Sequence, residues 1–288
     1  AGNANANAYV EAATYKVEAQ DLANSGWDPA SATNFITLSF WFRCSTNQTF
    51  LLNLRSEDGT ARMFSTTFTA SANNTWTKIV KTIPGNTSPT VQVDNDNGSG
   101  LAIFWAAFYG TGYTDSGSTM DAWKTYSGSS QGTDMASTWL AAGASTWDIT
   151  GVQLEVGSQA TAFEHRHFGE ELSLCQRYFF RLRPASTFMN YGMGGVYSST
   201  QAVAEVKLPV PMRSAPTFSY NGALNTYYDI VGGFGSFSAI NHTQTMGSSV
   251  TGYTSVNLQV VGSGTAGNPF MLATYNNTDT YLDFSSEI

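Results

Sequence analysis

Apolar residues in this chain fall into short runs, several of them alternating with polar positions, and nearly every run ends in a cluster of Gly, Pro, Asn, Asp or Ser. In residues 1–166 such runs cover 9–20, 35–42, 50–55, 63–69, 76–83, 101–109 and 148–156. Asp58-Gly59, Pro84-Gly85-Asn86 and residues 94–100 supply the φ-positive or φ-fixed positions that reverse a chain. Short strands with this punctuation predict a sandwich or jelly roll. Further runs follow at 178–183, 196–208, 217–220, 227–231, 237–240, 255–261, 270–275 and 281–284, and they predict a second β-sandwich. Between the two sets, residues 169–175 carry Glu170 and Glu171 early, then Leu172 and Cys175 three apart, the pattern of a short helix with acids at its positive end. The fold class predicted is all-β: an N-terminal jelly-roll sandwich, a short connecting helix and a smaller C-terminal β-sandwich.

The longest strongly apolar stretch, 101–109, is too short to cross a bilayer as a helix and reads as a buried strand, so no membrane insertion is expected. Charged residues make up only 12% of the chain, about half the usual share, while hydrophobic residues reach 42% and aromatics 14%. The surface is therefore built largely from Ser, Thr, Asn, Gln and Gly, which suit sugar hydroxyls better than phosphates. A net charge of −8 without any Lys/Arg cluster repels polyanions, and nucleic-acid binding is not expected. The opening AGNANANA lacks the basic and apolar regions of a secretory leader and begins at Ala1, which suggests a natural chain that starts upstream. Two cysteines, Cys44 and Cys175, make no disulfide framework and read as two small buried thiols, in keeping with assembly in a reducing cytoplasm. The N-x-S/T triplets are what a chain rich in these residues produces by chance, and no glycosylation is assigned.

Motifs that carry chemistry are few. Gly262, Gly264 and Gly267 form a G-x-G-x-x-G, but Asn268-Pro269 follows at once and leaves no helix to hold a pyrophosphate, so a strand-connecting loop is expected. His165 and His167 alternate beside Glu164 and Glu170, yet a closed metal site needs a ligand set that this stretch does not announce. Asp94 to Gly98, DNDNG, opens like a calcium loop but has Trp105 where the closing acid belongs; a hairpin loop is the default and a structural calcium turn the alternative. Asp94 with Asp96, Asp115 with Asp121, and Glu170 with Glu171 are the closest carboxylate pairs, none with the neighbourhood of a glycosidase. No enzyme and no cofactor is therefore expected. The richer constellation lies in residues 109–147, where Tyr113, Asp115, Asp121, Trp123 and Tyr126 stand among small hydroxyl residues, with Trp139 and Trp147 beyond. Sugars bind by stacking CH faces on aromatics while a few polar groups take their hydroxyls, and these five residues are the candidate glycan site. Tyr113 and Trp123 are expected to be the most exposed of them, and Trp105 to be buried.

Residues 149–180, ITGVQLEVGSQATAFEHRHFGEELSLCQRYFF, resemble a junction signature of bacteriophage tail-fibre and related virion proteins. There a jelly-roll domain similar to carbohydrate-binding modules passes through an A-T-x-F-E-H-R turn into a short helix ending in C-Q-R-Y. The matching positions are Ala160, Thr161, Phe163, Glu164, His165 and Arg166, then Cys175, Gln176, Arg177 and Tyr178; Ala162 stands where the family often has proline. FITLSFWFR at 35–43 and TFTASANNTWTKIVKTIPG at 67–85 resemble the same module, and residues 196–217 with the terminal LDFSSEI resemble the C-terminal domain, which suggests Ile288 as the true chain end. The resemblance implies a jelly roll over 1–166, a connector over 167–177 and a sandwich over 178–288, with Glu164, His165 and Arg166 at the domain junction. It implies a virion fibre segment assembled in the host cytoplasm as a homotrimer. That segment joins other virion proteins through an upstream region and binds host cell-surface polysaccharide. An architectural fibre or decoration protein without a receptor and a module of a polysaccharide depolymerase are the alternatives.

Overall fold

A computed structural model of the chain describes residues 4–231, 233–248, 252–274 and 276–287. The start at Ala1, the strand position Tyr275 and the chain end at Ile288 lie outside the described residues. The fold is all-β, and the contacts divide it into two compact units, one running to His165 and the other Arg166–Glu287.

The first unit contains β1 (Tyr9–Glu18), β2 (Phe35–Cys44), β3 (Phe50–Ser56), β4 (Arg62–Phe68), β5 (Thr77–Pro84), β6 (Ser99–Tyr109), β7 (Trp123–Thr125) and β8 (Trp147–Val156). They form a five-stranded sheet in the order β1-β6-β3-β4-β7 and a three-stranded sheet in the order β5-β2-β8, antiparallel throughout. Alternation explains the smaller sheet. In FITLSFWFRC, Ile36, Leu38, Phe40, Phe42 and Cys44 face the core and are buried, while Thr37, Ser39, Trp41 and Arg43 take the other face. Phe40 and Phe42 meet Phe68, Phe50 and Trp105 from the opposing sheet edge to face, the arrangement that ring quadrupoles favour.

β6 does not alternate because both of its faces are covered. Leu101, Ile103 and Trp105 enter the core between the sheets, whereas Ala106 and Tyr109 lie with Leu51 under Tyr113, Met120 and Met135 of the long loop that follows. That loop is tied down where the Ser65 hydroxyl donates to the Gln131 carbonyl at 3.0 Å. The expected strand over 9–20 stops two residues early. Ala19 and Gln20 donate their backbone N–H groups to Gly98 and Asp96, and the chain turns into a short helix, α1 (Ala19–Asn24), against Gly100.

A second short helix, α2 (Thr138–Ala141), lies in the loop before β8, and α3 (Phe168–Gln176) opens the second unit. α3 buries none of its residues, so Cys175 is exposed and is not the buried thiol that composition suggests; Cys44 is buried. β9 (Phe179–Leu182), β10 (Asn190–Ser198), β11 (Gln201–Met212), β12 (Thr217–Tyr220), β13 (Tyr227–Asp229), β14 (Gly235–Ser248), β15 (Gly252–Ser263), β16 (Pro269–Thr274) and β17 (Leu282–Ser285) make the rest. Six strands pair as β13-β16-β10-β11-β15-β14 and three as β12-β17-β9, over a core that includes Val206, Leu258, Phe270 and Phe284. The carboxylate of buried Asp229 accepts backbone N–H groups from Val231, Phe234 and Met271, pinning the turn after β13 to β16. Gly262, Gly264 and Gly267 fall in the β15–β16 connection, where Phe234 packs against Gly264.

Candidate functional site

The outer face of the three-stranded sheet is ordered in cross-strand rows. Register places Lys78, Trp41 and Thr150 in one row, Val80, Ser39 and Gln153 in the next, and Thr82, Thr37 and Glu155 in a third. Beyond Trp41, Arg43 pairs with Asp148 at 3.0 Å and lays its guanidinium 4.9 Å from the centre of the Trp76 ring. Directly opposed side chains on one face of a sheet stand about 5 Å apart, so each row is a contact set.

Residues 157–165 leave β8 and fold back as a strap over the Val80 and Thr82 rows. Thr37 donates to the Gly157 carbonyl at 2.8 Å and Thr82 to that of Ser158 at 3.3 Å. The Gln153 carboxamide donates to Thr161 Oγ1 and the Ala162 carbonyl, and accepts the Glu164 backbone N–H at 2.7 Å. Glu155 accepts both the N–H and the hydroxyl of Thr161. The A-T-x-F-E-H-R turn is thus fastened by side chains two residues apart on β8. Glu164 is held through its main chain, His165 packs edge-on to Phe163 at 5.1 Å, and Arg166 reaches Glu171 of α3 at 3.6 Å.

Partial burial works to raise the Glu155 pKa, but hydrogen bonds from Thr161 and Gln153 and the nearby Lys78 outweigh it and hold the carboxyl below its ordinary value. A depressed carboxylate contributes stability above its unfolded pKa and loses it as pH falls through the folded one. Acidification through that range is therefore expected to loosen the strap, read as a change in Trp41 fluorescence. Glu155→Gln, which cannot titrate, is expected to abolish the transition; an unchanged titration in that variant contradicts the assignment.

The strap covers only half of the face. Thr37 and Ser39 beneath it are buried, whereas Trp41 is 43% exposed, Trp76 40% and Phe163, at the strap's own edge, 43%. Gly151 makes room between them: at φ +58° it forms the β8 bulge, and a Cβ there would stand 3.3 Å from the Trp41 ring and 3.8 Å from that of Phe163. The result is an open aromatic platform of Trp41, Trp76 and Phe163, rimmed by Arg43, Asp148, Thr150 and Lys78. In a chain with seven tryptophans, Trp27, Trp105 and Trp123 are buried and Trp139 and Trp147 half-buried, so the two open indoles stand out on one sheet. They could have been found from sequence, because in FITLSFWFR Trp41 falls in phase with Thr37, Ser39 and Arg43, the polar set.

The five residues expected to form a glycan site do not come together. Trp123 requires a correction. It is 5% exposed, packs on Phe64 in the inter-sheet core and donates its indole N–H to the Pro84 carbonyl at 2.6 Å. The short strand β7 directs it inward, since the edge of the larger sheet needs an apolar side chain to close the core. Tyr113 is half-buried against Tyr9 and Tyr109, and Tyr109 donates to Glu11 at 2.7 Å. Burial first, and the Glu11 carboxylate next, raise the Tyr9 hydroxyl to about 12. Tyr126 stacks under the Arg55 guanidinium, 4.8 Å away, which also covers Phe104 and is paired with Glu57 at 2.7 Å. Asp115 and Asp121 build turns: the first caps the Gly117 N–H, and the second, at φ +56°, accepts the Thr66 hydroxyl at 2.6 Å. Trp105 is buried as expected.

In the DNDNG loop the Asp96 carboxylate accepts the Gly98 N–H, and Asp94 donates its own N–H to Asp58. Among the described residues no three His, Cys, Asp or Glu side chains gather as a metal site, and no helix is long and apolar enough to cross a membrane. A comparison with known proteins finds no match among family models, curated proteins or solved structures.

Proposed function

We propose that this chain is a segment of a virion fibre that binds host cell-surface glycan, and that the first unit does so on the outer face of its three-stranded sheet. The exposure of Trp41 and Trp76 side by side with hydrogen-bonding side chains carries the reading. Two open indoles on a rigid sheet are costly in water and are kept where a ligand covers them. Pyranose rings offer a flat CH face to an indole, and Arg43, Asp148, Thr150 and Lys78 offer donors and acceptors at its edge. The placement in a fibre rests on the tail-fibre resemblance of residues 149–180, and a threefold assembly would multiply a weak site by high local concentration. The apolar side chains left open on α3, Phe168 at 80% with Leu172 and Leu174, supply surface for such an assembly.

Purified chain is expected to compete with phage for adsorption to host cells and to scatter light as three times its 31.0 kDa mass. No competition at saturating protein removes the receptor role, and a monomeric mass removes the trimer. An architectural role then becomes the better reading.

A further inference from the structure

We infer that the glycan taken by this face is anionic, its acid group received by a lysine-lined cleft at the edge of the platform. The inference rests on the glycan reading above. The cleft encloses about 350 Å³, at the small end of the roughly 300–1,000 Å³ typical of ligand sites. It opens between the free edge of β5 and the outer half of β4, and is lined by Thr67, Phe68, Thr69, Lys78, Val80 and Lys81, with Ile79 at its back. β5 is an edge strand, and β7 pairs only with Arg62, Met63 and Phe64 of β4, so both walls at this end are unpaired strand edges.

The charge of the cleft runs against that of the chain. The protein carries 13 basic and 21 acidic residues, yet the lining holds two lysines, two threonines and no acid. Lys81 is half-buried, on the core-facing phase of β5 with Ile79 and Ile83, and none of the described residues pairs with it. Lys78 lies 3.5 Å from the Thr161 carbonyl and within the field of Glu155, so it is partly neutralised. It is also the register partner of Trp41, which places its ammonium beside any ring stacked on that indole. A pyranose on Trp41 therefore has Lys78 at its flank and Lys81 one strand edge away, the arrangement that receives a ring carboxylate of a uronic acid. Thr67 and Thr69 add hydroxyls for the neighbouring oxygens. Edge lysines also discourage strand pairing between molecules, and that role alone predicts no dependence on sugar charge.

The test is a titration of the ¹⁵N-labelled chain with glucuronate and with glucose, followed by amide and indole shifts. Glucuronate is expected to shift Trp41 and the β5 amides and to bind about fivefold more tightly than glucose at low salt, the advantage fading as salt is raised. Lys78→Gln/Lys81→Gln is expected to remove that advantage and leave the glucose shifts at Trp41 unchanged. Equal affinity for the two sugars, or an advantage that survives the lysine replacements, overturns the anionic preference while the platform stands. If neither sugar shifts the Trp41 indole, the platform and the preference both fall.

Discussion

Replacing both Trp41 and Trp76 with alanine is expected to weaken binding of host-surface polysaccharide about 30-fold while the first unit keeps its melting temperature within about 3 °C. Each indole is roughly 40% exposed in the free protein, so truncation removes little core packing. The cost to folding is limited to the Arg43–Trp76 stacking, about 0.5–1 kcal/mol. The cost to binding is larger, because aromatic anchors at the centre of an interface contribute about 2 kcal/mol or more, and 2 kcal/mol is close to 30-fold. Calorimetric titration with purified envelope polysaccharide reads the first number and thermal unfolding the second. Binding unchanged in a folded double variant removes the platform from the account.

Trp123→Ala has the opposite signature. The indole is buried between the sheets against Phe64 and makes its one available hydrogen bond to the Pro84 carbonyl. Truncation leaves a cavity and an unpaired carbonyl, and large-to-small changes of this kind cost about 3–5 kcal/mol. In a domain of this size that lowers the melting temperature by on the order of 10 °C. Wherever the variant is still folded, its affinity for glycan is expected to match that of the parent chain. A loss of affinity with no loss of stability would falsify the core assignment and restore Trp123 to the binding surface.

The contrast between these tryptophans shows what the chain makes legible. Strand positions can be read from alternation and turn residues, as in β2, where the period-2 pattern separates Phe40 and Phe42 from Trp41. The same alternation marks Trp41 as outward-facing. Loop residues carry no such period. Trp123 sits among Asp, Lys and Thr, yet a three-residue strand paired to β4 turns it into the core, a consequence of a contact some 60 positions away in sequence. The rows of the platform depend likewise on which strands become neighbours: Trp41 meets Lys78 and Thr150 only because β2 lies between β5 and β8. Trp76 is open because it stops just short of β5, where Arg43 reaches across to it. The strap could be read as a junction from its motif, but its fastening to Gln153 and Glu155 depends on the chain doubling back after Gly157.

The most direct measurement is a crystal structure of the chain soaked with oligosaccharide released from the host surface. The account predicts a pyranose ring lying parallel to the Trp41 indole within van der Waals distance, with hydroxyls on Arg43 or Asp148 and the strap still in place over the neighbouring rows. A sugar seated instead over Tyr113 and Tyr126 on the larger sheet, with the Trp41 face bare, contradicts it.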